Sequence, residues 1–527
     1  MSRIIITFLI FQFNIGLSQI KYIIEDFEGI INEKICWEKN GLYTFGETSA
    51  EIKKHSENKN KVRLRNNFIK IRSDKKKSFG GFGKSINHYF SNLEDNDFLN
   101  FYYRKKSDEK NDTIQIEIQV NNNKIEKPKT YQVYIHLKNE TEWNLTSIPL
   151  KLFKTEKHKK NNTEETLQLK GYFNQIIIKT NKPNTELDID FLCISNNELK
   201  NDLNIENYQQ GGVCLGIWTG KKNKDNFTEA VNEFENGFQE FGNKKHLGIV
   251  HLFIPFFNEK DNKTENYFAI EKINEIIHKD YLPMLTLESK FDNNSIDQPN
   301  LSKIIEGKYD RIIEGLAIKL KSADGMILLR ILHEFNGDWY PWSISKNKKD
   351  PQELREAFIH IVSIFKKQNV ENVKFIWCPN STSIPQEKWN LIAEAYPGDE
   401  YVDFTAMDIY NGAGQSETWQ SFIKEGIATY YLLNKNFNDK PILICETASR
   451  EKLKNEKGNG QTKSEWIEQM AQVLQFEMKN VKLLCWFNET DPFKIESSKA
   501  SKESFYKNII ENPYFKEGVE CIYDLMR

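Results

Sequence analysis

Two glutamates of this 527-residue chain follow apolar, strand-like runs, an unusual position for a charged side chain. Glu334 comes after the segment 326–332, and Glu446 comes after the segment 442–445. A carboxylate at the end of a buried strand is costly unless it is paired or used. Two carboxylates facing each other across a groove can hydrolyse a glycosidic bond, one as acid/base and the other as nucleophile or base. Either glutamate alone could be a salt-bridged core residue, but the pair favours catalysis.

The other strand-like segments after residue 211 also end in polar or aromatic residues. Five of the ten tryptophans lie at or just after these ends rather than in helix-like segments. A flat indole can cover the apolar C–H face of a sugar ring, although a tryptophan in this position can equally belong to the core. The candidate substrate-binding residues at strand ends are Trp218, His251, His333, Trp339, Trp342, Trp377, Asn380, Tyr410 and Trp486; Glu288, Asp408 and Asn488 share the position without an assigned role.

The elements that must position these residues alternate between strand and helix over residues 211–515. Near-continuous apolar runs are typical of parallel strands buried on both faces. Eight such units predict an α/β fold, the (β/α)8 TIM barrel, with the site at the carboxyl ends of the strands; a doubly wound sheet is the alternative. The predicted strands are Val213–Gly220, Leu247–Phe257, Leu282–Ser289, Gly325–Glu334, Val373–Asn380, Val402–Asn411, Pro441–Ser449 and Val481–Glu489. The predicted helices include Phe227–Phe241, Phe268–His278, Leu301–Lys321, Pro351–Gln368, Thr418–Leu433 and Ser464–Met478.

The segment 330–342 reads R-I-L-H-E-F-N-G-D-W-Y-P-W and resembles the R-x-x-H-E-[FM]-N-G-x-W hallmark of glycoside hydrolase family 26. The resemblance covers residues 211–515. It implies a retaining mechanism with Glu334 as the acid/base and Glu446 as the nucleophile. It also implies no cofactor for catalysis. The supporting active-site residues that it implies are Arg330, His333, Trp339 and Tyr410.

The chemistry places demands on both glutamates. Glu334 must be protonated when the leaving oxygen departs, and burial beside Trp339 would raise its pKa. Glu446 must be ionised to attack the anomeric carbon, so it needs hydrogen-bond donors such as Tyr410 and Arg330. His251, His333 and His360 lack the spacing of a zinc site, so the sequence predicts no catalytic metal.

The sequence narrows the choice of substrate without deciding it. Most members that the barrel resembles are similar to endo-β-1,4-mannanases, which puts β-1,4-mannan slightly first. The segment 339–342, W-Y-P-W, looks more like members that cut mixed-linkage β-1,3-1,4-glucan. Mannose and glucose differ in one hydroxyl orientation, and one hydrogen bond of about 0.5–1.5 kcal/mol is too small an effect to be recognised in a sequence. A β-1,3-xylanase and a non-catalytic polysaccharide-binding protein remain alternatives.

Residues 22–195 show a different, two-residue period with polar turns, which predicts an all-β sandwich before the barrel. The segments 26–29, 142–144 and 188–190 resemble the jelly-roll domains of carbohydrate-binding module family 11. That resemblance implies a structural calcium ion held by Glu28 and Asp190. The sugar-binding face stays open. A polar linker at residues 196–210 predicts that the barrel folds and acts without the sandwich.

The two ends of the chain and its composition predict its location and its partners. Residues 1–18 combine Arg3, an apolar run and a small-x-small site, which predicts a signal peptide and a secreted or periplasmic protein, although a buried strand is the alternative. Residues 516–527 are expected to form a short tail. A net charge of −2 gives no basic footprint for nucleic acid, and no later segment is apolar enough for membrane insertion. A monomer that binds a polysaccharide is expected, and the seven separated cysteines do not form a disulfide scaffold.

Overall fold

The structure is a computed structural model of the whole chain. It describes residues 19–29, 41–46, 48–55, 67–73, 80–106, 113–121, 127–156, 164–180, 182–199, 212–220, 227–242, 245–257, 269–291, 299–412, 419–437, 439–451, 461–489 and 492–518. The predicted signal peptide and most of the predicted linker lie outside the described residues. In the described part, no helix combines the length and apolar character that a membrane span requires.

Eleven antiparallel strands of the first part form two sheets, which confirms the predicted sandwich. One sheet has the order β3-β4-β11-β6-β9 with β1 paired to β11, and the other has the order β2-β5-β10-β7-β8. The chain changes sheet at most connections, as in a jelly roll. The strands are β1 (Ile20–Glu25), β2 (Leu42–Gly46), β3 (Thr48–Lys54), β4 (Asn67–Ser73), β5 (Gly80–Tyr89), β6 (Phe98–Lys106), β7 (Thr113–Asn121), β8 (Lys129–His136), β9 (Glu140–Pro149), β10 (Tyr172–Thr180) and β11 (Glu186–Ser195).

The alternation that predicted these strands also fills the core between the two sheets. Ile114, Ile116 and Ile118 of β7 point inward and pack with Ile176 and Ile178 of β10. The residues between them point away from the core because successive side chains of a strand leave opposite faces. Each sheet therefore has one apolar face turned to its partner.

Eight parallel strands of the second part close into the predicted barrel, since β12 pairs with both β13 and β19. Parallel neighbours run in chain order from β13 to β19. A two-residue strand, β20 (Phe515–Lys516), adds to the outside of β12. The barrel strands are β12 (Val213–Trp218), β13 (Ile249–Phe257), β14 (Leu282–Phe291), β15 (Ile327–Ile331), β16 (Val373–Trp377), β17 (Phe404–Asn411), β18 (Ile442–Ser449) and β19 (Val481–Phe487).

The helices between the barrel strands lie close to the predicted ones, with two differences. The predicted helix Leu301–Lys321 is two helices, because the chain turns at Gly307, whose φ of +78° favours glycine. A further helix after the last strand was not predicted. The helices are α1 (Phe227–Asn236), α2 (Ile270–His278), α3 (Leu301–Ile305), α4 (Asp310–Lys321), α5 (Pro351–Lys367), α6 (Phe422–Asn436), α7 (Lys463–Phe476) and α8 (Lys499–Phe505), the last continued by a π-helical turn, Tyr506–Ile510.

The sandwich packs tightly against the barrel. Strand β1 lies along α6. Lys424 of α6 reaches Glu25 at the end of β1, and both Glu25 oxygens are 3.4 Å from Lys424 Nζ. Burial alone would raise the pKa of Glu25, but the charges of Lys424 and Lys84 lower it to about 2. Apolar side chains of the sandwich belong to the same cluster as the barrel core: Ile20, Tyr102, Phe191, Cys193 and Leu199.

Candidate active site

A buried guanidinium organises the centre of the barrel's carboxyl-terminal face. Arg330 of β15 is fully buried. Its Nε donates to Thr286 Oγ1 at 2.7 Å, one Nη donates to Asp408 Oδ2 at 2.6 Å, and the other Nη donates to Glu446 Oε1. The Tyr410 hydroxyl donates to the other Glu446 oxygen at 2.7 Å. Both oxygens of Glu446 therefore accept hydrogen bonds, which fixes the orientation of the carboxylate.

Glu334 has the opposite environment. Burial and the nearby charge of Glu446 raise the pKa of Glu334 to about 7, although a hydrogen bond from Trp339 and the charge of Arg330 oppose the shift. Trp339 Nε1 donates to Glu334 Oε2 at 2.8 Å. The site thus holds one carboxyl group with a raised pKa, Glu334, beside a second, Glu446, whose two oxygens accept hydrogen bonds from Arg330 and Tyr410.

The turn that presents Glu334 is strained in the backbone. Leu332 and Glu334 have φ angles of +47° and +51°, in the left-handed region that side chains disfavour. Glu334 N donates to Cys378 O at 2.8 Å, which ties the turn to the end of the next strand. At Gly337, a Cβ atom would lie 2.5 Å from the Trp339 ring, so only glycine permits this indole position. The glycine of the 330–342 segment therefore places the tryptophan against Glu334.

His333 and Tyr340 form a layer below the two glutamates. His333 Nε2 and the Tyr340 hydroxyl are 3.0 Å apart. The Tyr340 ring stacks on Trp342, with ring centroids 4.3 Å apart. Burial and the charges of Glu334 and Glu446 raise the pKa of Tyr340 well above its ordinary value, so its hydroxyl stays protonated and can donate.

Aromatic rings line the side of the site formed by β19, β12 and β13. Phe253 packs against Trp218, with ring centroids 5.0 Å apart, and also contacts His251 and Phe487. Trp218 Nε1 donates to a Glu489 oxygen at 3.4 Å. Trp218 is nearly buried, so it offers at most an edge to a ligand. His251 Nε2 and Thr286 Oγ1 are 2.7 Å apart, and burial, together with Arg330, lowers the pKa of His251 well below its ordinary value.

Three of the predicted sugar-stacking tryptophans do not fit that role in the structure. Trp342, Trp377 and Trp486 are each no more than 1% exposed, so their rings have no surface for a sugar. Trp342 Nε1 donates to His333 O at 2.7 Å, and Trp486 Nε1 donates to Phe493 O at 3.0 Å. These rings pack in the core because the segments after their strands turn back over them. Trp339, at 40% exposed, is the tryptophan of the set that remains open to a ligand.

Asn380 is also turned away from the two glutamates. Its side-chain nitrogen donates to Thr382 O at 2.7 Å, and its backbone nitrogen donates to Asn336 Oδ1 at 2.8 Å. Asn336 in turn donates to Asn380 O at 2.9 Å. Asn380 therefore links the segments that follow β15 and β16 rather than reaching towards the catalytic pair.

Three residues of the site were missed by the sequence analysis: Thr286, Asp408 and Tyr340. Asp408 was among the polar strand ends, but its role as the second acceptor of Arg330 follows only from the closure of the barrel. Thr286 is a fully buried polar residue in an apolar strand. A threonine is common in strands, so the sequence offers no signal beyond that polarity. Tyr340 lies inside the 330–342 segment, but only the tryptophans beside it, Trp339 and Trp342, were predicted to bind sugar.

The structure gives no support to the implied calcium site. Asp190 Oδ2 lies 3.0 Å from His55 Nε2, and one Glu28 oxygen accepts from Asn67 N at 3.3 Å. These partners are nitrogen donors, whereas a calcium site gathers oxygen ligands. Among the described residues, no group of three or more histidine, cysteine, aspartate or glutamate side chains could hold a metal ion.

The hydrogen bond from Trp339 makes a pH prediction. A carboxylic acid with a pKa of about 7 loses its proton above that pH, so kcat/KM should fall on the alkaline side near pH 7. In Trp339→Phe the carboxylate loses a donor, so the pKa of Glu334 should rise and the alkaline limb should move to higher pH. Trp466→Phe is the matched control, because Trp466 is buried against Phe422 and Trp486 and its Nε1 donates to Gln420 O at 3.1 Å. An alkaline limb that Trp339→Phe leaves in place would contradict this role of Trp339.

Chains of known proteins match parts of this one. Residues 285–472, from β14 into α7, match the family model of glycosyl hydrolase family 26. Endoglucanase H of Acetivibrio thermocellus is 31% identical over 288 residues, which are 54% of this chain and 28% of that protein. A mannan endo-1,4-beta-mannosidase of Bacillus subtilis is 28% identical over 113 residues, 20% of this chain and 29% of that protein. The chain thus spans less than a third of the length of either curated relative.

The solved structures that this chain resembles are more distant in sequence. A GH26 beta-mannanase from Bacteroides ovatus is 16% identical and covers 59% of this chain and 91% of its own, with a TM-score of 0.42. A ruminal GH26 endo-beta-1,4-mannanase is 14% identical and covers 86% of this chain and 91% of its own, with a TM-score of 0.41. The family match includes the strands that carry Arg330, Asp408 and Glu446 and the turn that carries Glu334. The family model of glycosyl hydrolase family 26 thus matches the part of the barrel that carries both glutamates.

Proposed function

We propose that the barrel is a retaining endo-β-glycanase that hydrolyses a neutral β-linked polysaccharide. The observation that carries the proposal is the difference between the two glutamates. The pKa of Glu334 is raised to about 7, whereas Glu446 accepts hydrogen bonds from Arg330 and Tyr410. An acid that is protonated near neutral pH beside a fixed anion is what glycoside hydrolysis requires.

The steps follow from these positions. Glu334 donates its proton to the glycosidic oxygen while Glu446 attacks the anomeric carbon and forms a covalent glycosyl ester. The Glu334 carboxylate then removes a proton from water, which attacks the same carbon and releases Glu446. Arg330 donates to one oxygen of Glu446 and Tyr410 donates to the other, which orients the carboxylate, and Trp339 orients Glu334. Glu334 is therefore the proton donor in the first step and the proton acceptor in the second.

Two substrates are supported by different observations. The mannosidases among the relatives support β-1,4-mannan. Mixed-linkage β-1,3-1,4-glucan is supported by the relative named an endoglucanase, which aligns over 288 residues, and by Pro341 within the segment 339–342. We place the glucan first because that alignment is longer than the 113 residues of the Bacillus subtilis mannosidase. The protein is further proposed to be secreted or periplasmic.

The substrate is tested by incubating the purified protein with lichenan, barley β-glucan, mannan, galactomannan and β-1,3-xylan. An endo-acting enzyme should release a ladder of oligosaccharides from one of them, with retention of anomeric configuration. Glu446→Ala, prepared in the same way, shows whether the activity belongs to the barrel. A wild-type protein that releases no reducing ends from any of these polymers would leave the non-catalytic binding alternative.

We also propose that the sandwich binds polysaccharide on the outer face of the β2-β5-β10-β7-β8 sheet. Gln115 and Gln119 of β7, with Gln132 of β8 and Gln175 of β10, place amides on this face, and Glu117 between them pairs with Lys179 of β10. Gln115 Nε2 donates to Gln132 Oε1 at 2.6 Å, and Gln175 Nε2 donates to Gln119 Oε1 at 2.7 Å. Amide rows can exchange hydrogen bonds with sugar hydroxyls without any charge on the ligand.

Aromatic rings stand at both sides of the amide row. Tyr134 of β8 is 56% exposed. Tyr43 of β2 lies over Gly83, where a Cβ atom would be 2.2 Å from the tyrosine ring, and its hydroxyl bonds Gln175. The absence of a side chain at Gly83 lets the Tyr43 ring lie close to the sheet at this point. Rings beside a polar row match a polysaccharide chain, which has apolar C–H faces and hydroxyl edges.

The binding face predicts a selective defect in Tyr134→Ala. Loss of one stacked ring is worth about 0.5–1.5 kcal/mol, so binding to insoluble substrate should weaken by roughly two- to tenfold. The kcat/KM on soluble oligosaccharides should not change. Ile318→Ala is the matched control, because Ile318 is 57% exposed but lies on α4 of the barrel. Equal retention of all three proteins on the polymer would contradict a binding role for this face.

A further inference from the structure

One contact between the sandwich and the barrel is the turn at the end of β1. It comprises residues 25–28, and we call it the docking turn. Phe27 has a φ of +59°, so the chain reverses within these four residues. Phe27 N donates to Glu25 Oε1 at 3.0 Å, and Glu28 N donates to Asp26 Oδ1 at 3.4 Å. The carboxylates of the turn therefore hold its shape. Asp26 is only 3% exposed, so water cannot easily replace its contacts.

The docking turn is hydrogen-bonded to two barrel segments on the catalytic face, at the point where each segment leads into its next helix. The segments are those that follow β17 and β18, the strands that carry Tyr410 and Glu446. Asp26 Oδ2 accepts from the hydroxyl of Ser421, the residue that caps the start of α6. Gln461 N, just before α7, donates to Glu28 O at 3.1 Å. One turn of the sandwich thus fixes two barrel segments at once.

Hydrogen bonds continue from these contacts to Tyr410. Trp419 Nε1 donates to Gln461 Oε1 at 2.9 Å, which joins the two segments. Gln420 N, next to Ser421, donates to Asn411 Oδ1 at 2.9 Å. Asn411 is fully buried and directly follows Tyr410 in β17.

Asn411 also connects the two strands beneath the site. Its Nδ2 donates to Ser449 Oγ at 3.0 Å, and its backbone oxygen accepts from Arg450 N at 3.2 Å. Ser449 ends β18, the strand that carries Glu446. The same asparagine is therefore bonded to the segment held by the sandwich and to the strand of the candidate nucleophile.

We propose that the docking turn is a positioning element for catalysis, with Asp26 setting the place of Tyr410 against Glu446. The sandwich then contributes to turnover and not only to binding. The proposal rests on the proposed function, because it gives Tyr410 a part in the chemical step. Tyr410 makes one 2.7 Å hydrogen bond to Glu446, and a displacement of about 1 Å in an active site can cost up to 10²-fold in rate.

The test is a double-mutant cycle in the full chain between Asp26→Ala and Tyr410→Phe. Asp26→Ala should lower kcat roughly fivefold with KM changed less than about twofold, in the range of substitutions that act on a site through other residues. In the Tyr410→Phe background, the same substitution should lower kcat less than about 1.5-fold, because the bond on which it acts is already absent. A purely structural role would lower kcat by the same factor in both backgrounds.

Two controls accompany the cycle. Asp26→Asn keeps an acceptor for Ser421 and should recover most of the turnover. Glu94→Gln should leave kcat unchanged, because Glu94 contacts Lys435 in the same interface but away from the bonds described above. If Asp26→Ala does not fold, Trp419→Phe removes a single donor of the same connection and takes its place in the cycle.

The outcomes separate this proposal from the proposed function. Non-additive kcat effects with Asp26→Asn near wild type support the docking turn as a positioning element. Equal factors in both backgrounds, or a lowered melting temperature with unchanged kcat, overturn it while the hydrolase proposal stands. A wild-type protein that cleaves none of the five polysaccharides removes the proposed function, and this inference with it.

Discussion

Glu446→Ala is expected to lower kcat on polysaccharide by about 10⁴-fold or more, because no other side chain can form the glycosyl ester. The variant should fold, since Arg330 keeps Asp408 as a partner at 2.6 Å. The measurement is the release of reducing ends, together with the melting temperature. Glu425→Gln is the control: Glu425 is a partly buried glutamate whose pKa is raised by burial to about 7, but it lies on α6 and accepts from Thr382. Wild-type turnover in Glu446→Ala would contradict the assignment of the nucleophile.

Glu334→Ala should fail in a different way. An activated aryl glycoside has a leaving group that needs little protonation, so formation of the glycosyl ester should remain measurable, and azide should restore part of the turnover by attacking that ester. Glu446→Ala should form no ester with the same substrate. The two variants therefore distinguish the acid/base from the nucleophile, and the same behaviour in both would mean that the roles are assigned wrongly.

The strands of both parts could be predicted from the sequence because their signals are local. An apolar run such as 442–445 predicts a barrel strand wherever it lies in the fold, and the alternation at 114–118 predicts a half-buried strand. The positions of Glu334 and Glu446 followed from those strands. The resemblance of the 330–342 segment to the family hallmark is also a local signal, because it lies in consecutive residues.

The tryptophans show where local signals end. Trp339 and Trp342 are three residues apart, yet the first is 40% exposed and the second is fully buried. The Tyr340 ring stacks on Trp342, in a turn that begins with the left-handed residues Leu332 and Glu334. No periodicity in the sequence records such a turn.

Most partners of the buried charges were beyond the sequence, although the bond from Arg330 to Glu446 was predicted. Arg330 is joined to Thr286, Asp408 and Glu446, which come from three other strands and meet only when the barrel closes. Asp26 and Ser421 are bonded although they are 395 residues apart. The polar linker predicted two independent domains. Its composition describes the linker alone and carries no information on the contacts between the sandwich and the barrel.

A barrel that begins at Gly212 is expected to be unstable, contrary to the independence that the linker predicted. Without the sandwich, Lys424 loses Glu25 and Ser421 loses Asp26. Removal of one partner from a buried charge pair typically costs about 3–5 kcal/mol. The five sandwich side chains that share the barrel's core cluster also leave apolar surface exposed. The truncated barrel should therefore aggregate, or melt at least about 10 °C below the full chain.

The measurement compares the truncated barrel with the full chain for soluble yield, melting temperature and kcat/KM on a soluble oligosaccharide. Lys54→Ala in the full chain is the control, because Lys54 Nζ bonds the barrel residue Glu465 at 2.9 Å but is 54% exposed. An exposed ion pair contributes at most about 1 kcal/mol, so this variant should lose only a few degrees. If the truncated barrel loses stability and Lys54→Ala does not, the buried contacts of α6 account for the loss. A truncated barrel that melts with the full chain and turns over equally well would mean that these contacts contribute little to folding, and that the polar linker did separate two independent domains.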